Sequence, residues 1–182
     1  MLERADPHTL TVHEAVGENL TLLQATAVMT AGVCGLLMSG VLPVLLGALV
    51  DLHRLGAVQM GKTAMAEGLV MGLSTAAAAA FLPPRGLRLW AGCSALLLAG
   101  LSAACAWAQG SSVIVLRALA GLPEGILLWI TVGMIARHAT PERLSAVLLA
   151  AMTAAQFLLA LVLTVAVLPD FGAAGGFVAL AL

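Results

Sequence analysis

N-L-T-L-L-Q-A-T-A-V-M-T-A-G-V-C-G-L-L-M-S-G-V-L-P-V-L-L-G-A-L-V, from Asn19 to Val50, runs for 32 residues without a charged side chain. About 20 apolar residues at 1.5 Å each cross the roughly 30 Å of hydrocarbon in a bilayer, so this stretch reads as a spanning helix. Two more uncharged runs follow, 28 residues from Leu89 to Leu116 and 26 from Leu144 to Pro169. Between them lie apolar segments interrupted by single charges: Lys62 and Glu67 in one, Arg117 and Glu124 in the other. Of all residues 62% are hydrophobic and 9% are charged, against roughly 45–50% and 25% in soluble domains. A chain of 182 residues leaves too much surface in water to hide that excess in a soluble core.

The expected fold is therefore an all-α integral membrane bundle. Its helices are expected at about residues 21–51, 58–82, 87–109, 112–137 and 141–168, with a sixth over 171–182. Breaks fall at Asp51 to Val58, Pro83 to Leu87, Gln109 to Ser111, Arg137 to Pro141 and Pro169 to Asp170. Such short connections make consecutive helices antiparallel neighbours. The sixth apolar segment is still running at Leu182, which reads as a helix cut off within its length. Residues 1–20 form a polar tail, and its acidic character and the length of the following run do not match a signal peptide.

With the amino terminus in the cytoplasm, that side receives Arg4, Arg85, Arg88, Arg137 and Arg143, and the far side receives Arg54 and Lys62. This matches the excess of basic residues in cytoplasmic loops. A multi-pass protein of the inner (plasma) membrane, amino terminus inside, is the expectation. Thr140-Pro141-Glu142 places a capping hydroxyl, a first-turn proline and an acid at the start of helix five.

G-A-V-Q-M-G-K-T, Gly56 to Thr63, satisfies the phosphate-loop pattern G-x-x-x-x-G-K-[ST] literally. A working phosphate loop follows a buried strand, and here the preceding segment is the 32-residue apolar run. The expected role is a turn between helices one and two. Cys34, Cys93 and Cys105 lie inside apolar segments without metal-ligand spacing, and the four histidines fall outside helix centres. No metal, no cofactor and no enzymatic arrangement is expected.

Ionised groups in mid-membrane cost roughly 2.5–3.5 kcal/mol on insertion scales and usually face a bundle interior or a wet cavity. Arg117 and Glu124, seven apart on helix four, share a face to within about 20° and lie about 10.5 Å apart along the axis. Gly121 and Gly125 adjoin them at a close-packing spacing, with Pro123 between. Glu67 on helix two precedes Gly68 and Gly72, again four apart, and a glutamate and an arginine on different helices can pair. Arg117, Glu124 and Glu67 are the candidates for coupling or charge recognition. Ser39, Gln156, Gly121 and Gly125 are the cavity-lining candidates, among polar or glycine-rich helices one, two, four and five. Helix three, without charge, is expected to face lipid.

Together, L-P-V-L-L-G-A-L-V-D (Leu42 to Asp51), the glycine-rich second helix, the basic loop with Arg85 and Arg88, and R-A-L-A-G-L-P-E-G (Arg117 to Gly125) resemble the amino-terminal half of a major facilitator superfamily (MFS) transporter. The resemblance implies a twelve-helix protein of two bundles, this chain supplying a six-helix half whose sixth helix is truncated. It implies secondary active transport of a small solute by alternating access between the halves, with proton coupling as the expected drive. The partners so implied are a small-molecule substrate, protons, the lipid bilayer and a carboxy-terminal half, and no nucleic acid. Phe81 to Trp90, F-L-P-P-R-G-L-R-L-W, lacks the acid of the family's loop motif, and helix five lacks its antiporter glycine–proline pattern. A non-transporting polytopic scaffold or assembly subunit, its charges only pairing helices, is the alternative.

Overall fold

The structure is a computed structural model that describes residues 22–83, 86–138 and 140–181. Among these it is all helical: α1 (Leu22–Asp51), α2 (Ala57–Phe81), α3 (Leu87–Cys105), α4 (Ser111–Ile135), α5 (Pro141–Val162) and α6 (Leu168–Ala181), with a π-helical turn at Leu163–Val167 between the last two. Five stretches are long and apolar enough to cross a membrane, the fifth being Pro141–Ala181 taken as a whole. The chain is accordingly a multi-pass membrane protein in its architecture. Residues 1–20 and Arg85 lie outside the described residues.

Helix starts follow local chemistry. Gly56 precedes α2, and its N–H donates to Gln59 Oε1 at 2.9 Å, so the first turn satisfies one of its own open ends. Pro141 opens α5 with Glu142 in its first turn, where a proline loses no helical bond and an acid meets the positive end of the helix dipole. The Thr140 hydroxyl, expected to cap this helix, makes no cap bond and lies 3.4 Å from His138 Nδ1 instead. Large apolar side chains from α2 onward, among them Leu69, Leu73, Leu96, Val115, Phe157 and Val165, are left uncovered by the rest of the chain. In water that surface would aggregate; in lipid it costs nothing.

The expected break at Pro169–Asp170 does not occur. α6 begins at Leu168 and passes through both residues, and the chain turns instead at Gly172, with φ 61° and ψ −167°. Only glycine occupies that backbone region without strain. The π turn just before Pro169 explains why the proline is tolerated: the Leu168 N–H already bonds Leu163 O, five residues back, and such a widened turn relieves the clash of a proline ring with the preceding carbonyl. Beyond Gly172, Ala173, Gly176 and Phe177 are buried, and a β-carbon on Gly176 would meet Leu45 of α1 at 2.5 Å. The last segment thus closes over the apolar core formed by Met38, Val41, Leu42, Leu45, Leu46 and Leu49.

α3 ends earlier than expected, at Cys105 rather than about residue 109. It buries Ser94, Leu98, Ser102 and Cys105 and leaves the rest of its surface outward, in keeping with a sequence that carries no charge from Leu89 on. Arg54, in the loop after α1, explains the early stop. Its Nη2 donates to the carbonyls of Ala106 at 2.9 Å and Ala108 at 2.7 Å, while the Gly110 N–H returns a bond to Arg54 O at 2.9 Å. A guanidinium therefore takes over carbonyls that the end of α3 leaves without helical donors. The α1–α2 and α3–α4 loops are tied together at one end of the bundle.

Candidate functional site

α2 and α4 make the most extensive helix pair in the chain, and glycine is the cause. A β-carbon on Gly121 would lie 2.6 Å from Glu67 O and 2.9 Å from Met71 N; on Gly125 it would lie 2.7 Å from Ser74 Cβ and 2.9 Å from Thr75 N. The backbones of the two helices touch at both places. A hydroxyl of α2 uses the proximity: Ser74 Oγ donates to Leu122 O at 2.8 Å, while Thr75 Oγ1 donates to Met71 O of its own helix at 2.8 Å and lies 3.1 Å from Gly125 O. Pro123 sits inside this contact without breaking α4.

The same contact brings three charged side chains together. Arg117 Nε donates to Glu67 Oε2 at 2.9 Å and Nη2 to Glu67 Oε1, a two-pronged pair of the kind that planar guanidinium favours. Arg117 Nη2 also reaches Glu124 Oε1 at 3.2 Å. Spacing alone made Arg117 and Glu124 the natural pair; the stronger partner of Arg117 is Glu67, from the neighbouring helix. All three are buried. Cys105 of α3 lies beside Arg117. Among the described residues, two polar atoms in the cluster have no hydrogen-bond partner, Arg117 Nη1 and Glu124 Oε2.

Next to the cluster is a cavity of about 220 Å³, bounded by Ser39, Leu42, Pro43 and Leu46 of α1, by Met60, Gly61, Ala64, Glu67, Gly68 and Met71 of α2, and by Glu124. Both carboxylates border it and Arg117 does not. Ser39, Pro43, Gly61, Ala64 and Gly68 are uncovered, so the cavity opens outward between α1 and α2. Pro43 has no N–H for the Ser39 carbonyl four residues back, and both residues stand on the cavity wall. By helix rise, Glu67 lies about 15 Å and Glu124 about 20 Å in from the first residues of α2 and α4, which is bilayer mid-depth.

Of the four cavity-lining candidates, Ser39 borders this cavity and the other three do not. Gly121 and Gly125 are covered by the α2 backbone. Gln156 lies over Gly40, where a β-carbon would collide with its amide, and its Nε2 donates to Leu36 O at 2.9 Å. It joins α5 to α1. Gly68 and Gly72 have open space where a β-carbon would go, so the glycine pair on α2 is not the one used in packing. Arg88 is exposed at the start of α3.

The Gly56–Thr63 segment is the cap and first two turns of α2. Met60 N–H bonds Gly56 O at 3.0 Å, Thr63 Oγ1 donates to Gln59 O at 2.8 Å, and Lys62 is exposed. A helix directs its amides along its own axis, so these residues form no loop around a phosphate. Sequence reasoning missed Arg54 as a structural residue. Its clue was a lone arginine in a short polar loop otherwise bounded by spanning helices. Comparison with protein-family models, with curated proteins and with solved structures found no match.

Proposed function

We propose that this chain belongs to a secondary transporter of the MFS type, moving a small solute by alternating access with proton coupling, in the inner (plasma) membrane with its amino terminus inside. The observation that carries the reading is the Glu67–Arg117–Glu124 cluster, buried at mid-depth and bordering a cavity that opens outward. Ionisable groups so placed are costly and mark solute or proton pathways. One guanidinium faces two carboxylates, so the fully ionised cluster is one negative charge out of balance. A single proton restores the balance and, placed on Glu124, leaves Arg117 held by Glu67 alone. That exchange is the coupling step: proton arrival at Glu124 frees its bond to Arg117 Nη2, and proton departure restores it.

The MFS resemblance adds the rest of the machine, a second half facing this one across the solute path. Helices one, two and four supply the cavity wall here, while α3 keeps to the periphery.

The test is proton flux. The protein is reconstituted into liposomes containing a pH-sensitive dye and challenged with small solutes across mildly acidic to mildly alkaline pH, as wild type and as Glu124→Gln. The expected result is a solute-evoked flux in the wild type that is lost, together with its pH dependence, in the variant. An unchanged rate and pH dependence in Glu124→Gln removes Glu124 from coupling.

A further inference from the structure

We infer that the cavity between α1 and α2 binds a small amine in its cationic form, with an apolar body, and that each amine bound displaces one proton from the carboxylate pair. The inference rests on the permease reading of the cavity and adds the chemical class of its ligand. Four observations carry it. Glu124 Oε2 is buried, has no hydrogen-bond partner among the described residues and belongs to a residue that borders the cavity; a buried acceptor without a partner is costly until a donor arrives. The second charged wall residue is also a carboxylate, Glu67, and Arg117 stands behind both rather than on the wall. An anion entering the cavity would meet two like charges before it reached the guanidinium, whereas an ammonium group meets acceptors. On the facing wall, the Ser39 carbonyl lacks its helical donor because of Pro43. Finally, the rest of the wall is apolar, built by Leu42, Pro43, Leu46, Met60, Ala64 and Met71.

Size narrows the class further. A volume of about 220 Å³ is below the roughly 300–1,000 Å³ of drug-sized sites, so the ligand is a small amine. The groups facing Glu124 are Arg117 on its own helix, Glu67 from α2 and the Ser39 residue of α1, with the Cys105 thiol of α3 beside Arg117. Among the described residues α5 brings no charged group to the cavity wall. The exchange balances: the cluster with one carboxyl proton is neutral, the ammonium enters with its single positive charge, and the carboxyl proton leaves to water. Charge in the cavity is the same before and after. An amine and a proton thus compete for one site, which in a transporter is the condition for exchanging one for the other.

The experiment uses three probes of matched shape: benzylammonium, benzyl alcohol and benzoate, each titrated calorimetrically into the purified protein in two buffers that differ in ionisation enthalpy. The expected result is saturable binding of benzylammonium alone, with about one proton released per amine by the charge balance above. Glu124→Gln is expected to weaken binding at least about tenfold, the loss of a charge-assisted hydrogen bond, and to abolish the proton release. Because a buried-site variant can fail to fold, Ala64→Phe gives a second arm: it fills the cavity from the uncovered side of α2, leaves the charged cluster intact, and is expected to block binding. Benzoate or benzyl alcohol binding as well as the amine does, or benzylammonium binding equally to Glu124→Gln, overturns the inference. If the amine does not bind while other solutes evoke Glu124-dependent proton flux in liposomes, the ligand class falls and the permease reading stands. If the amine binds with proton release but no solute, the amine included, evokes flux, the binding site stands and the permease reading falls.

Discussion

Two glycine pairs with identical spacing make opposite predictions. Gly125→Ala on α4 places a β-carbon 2.7 Å from Ser74 Cβ and 2.9 Å from Thr75 N, against ordinary contact near 3.5–4.0 Å. One of those neighbours is backbone, so the helices must part by about 1 Å. The Ser74–Leu122 bond, at 2.8 Å, then exceeds hydrogen-bonding range, while the Thr75 hydroxyl keeps its bond to Met71 O within α2. Overpacking costs about 1–3 kcal/mol, and the one interhelical bond lost in a membrane adds about 0.6 kcal/mol. The gain in helix propensity from glycine to alanine offsets about 0.8–1 kcal/mol. The net expectation is a loss of about 1–3 kcal/mol. Gly72→Ala on α2 meets open space, and its expectation is a gain of about 0.5–1 kcal/mol. Unfolding of the protein by sodium dodecyl sulfate in mixed micelles, followed by helical circular dichroism, reads both. If Gly125→Ala matches Gly72→Ala in sign and size, the close contact of α2 with α4 is refuted.

Two further outcomes follow from the charged cluster and from the α1–α5 contact. Arg117→Met alone strands Glu67 and Glu124 beside each other without a counter-charge and is expected to cost about 3–5 kcal/mol in the same unfolding assay; adding Glu67→Gln and Glu124→Gln should recover most of it, and a small loss in the single variant would contradict the paired geometry. Gln156→Ala should cost about 0.6–1 kcal/mol for its bond to Leu36 O, and Gly40→Ala should cost nothing further once Gln156 is gone, since Gln156 is what its β-carbon strikes; simple additivity in the double variant would show that the two residues do not touch.

The helices were legible because hydrocarbon thickness imposes a length that any reader of the sequence can measure. Their ends were less so. Proline at residue 169 looked like a stop, but a π turn absorbed it and Gly172 took the bend; a proline advertises a lost hydrogen bond, while a glycine's positive φ leaves no mark until the chain uses it. The cluster was half legible. Arg117 and Glu124 share a face by arithmetic on one helix, but the better partner, Glu67, depends on the register between two helices, which Gly121 and Gly125 set by letting backbones meet. Gly68 and Gly72 carry the same spacing and do nothing similar, since spacing says that approach is permitted and not that a partner approaches. Gln156 was placed at the right depth on the right helix, yet a long polar side chain in lipid takes the nearest free acceptor, and that was Leu36 O rather than the cavity.

Arg54 sets the mechanics of the bundle. By holding both loops at one end, it fixes the ends of α1 and α3 and the starts of α2 and α4 relative to one another. α1 and α2 touch little along their length and share the cavity between them, whereas α2 and α4 are locked backbone to backbone. α1 is in turn pressed on α4, where a β-carbon on Gly32 would meet Thr131 Cγ2 at 2.6 Å and one on Gly35 would meet Leu127 Cβ at 2.9 Å. The width of the cavity is therefore fixed from two sides, by the tied loops at one end and by the glycine face of α1 on α4 further along, and the charged cluster inherits that fixed frame.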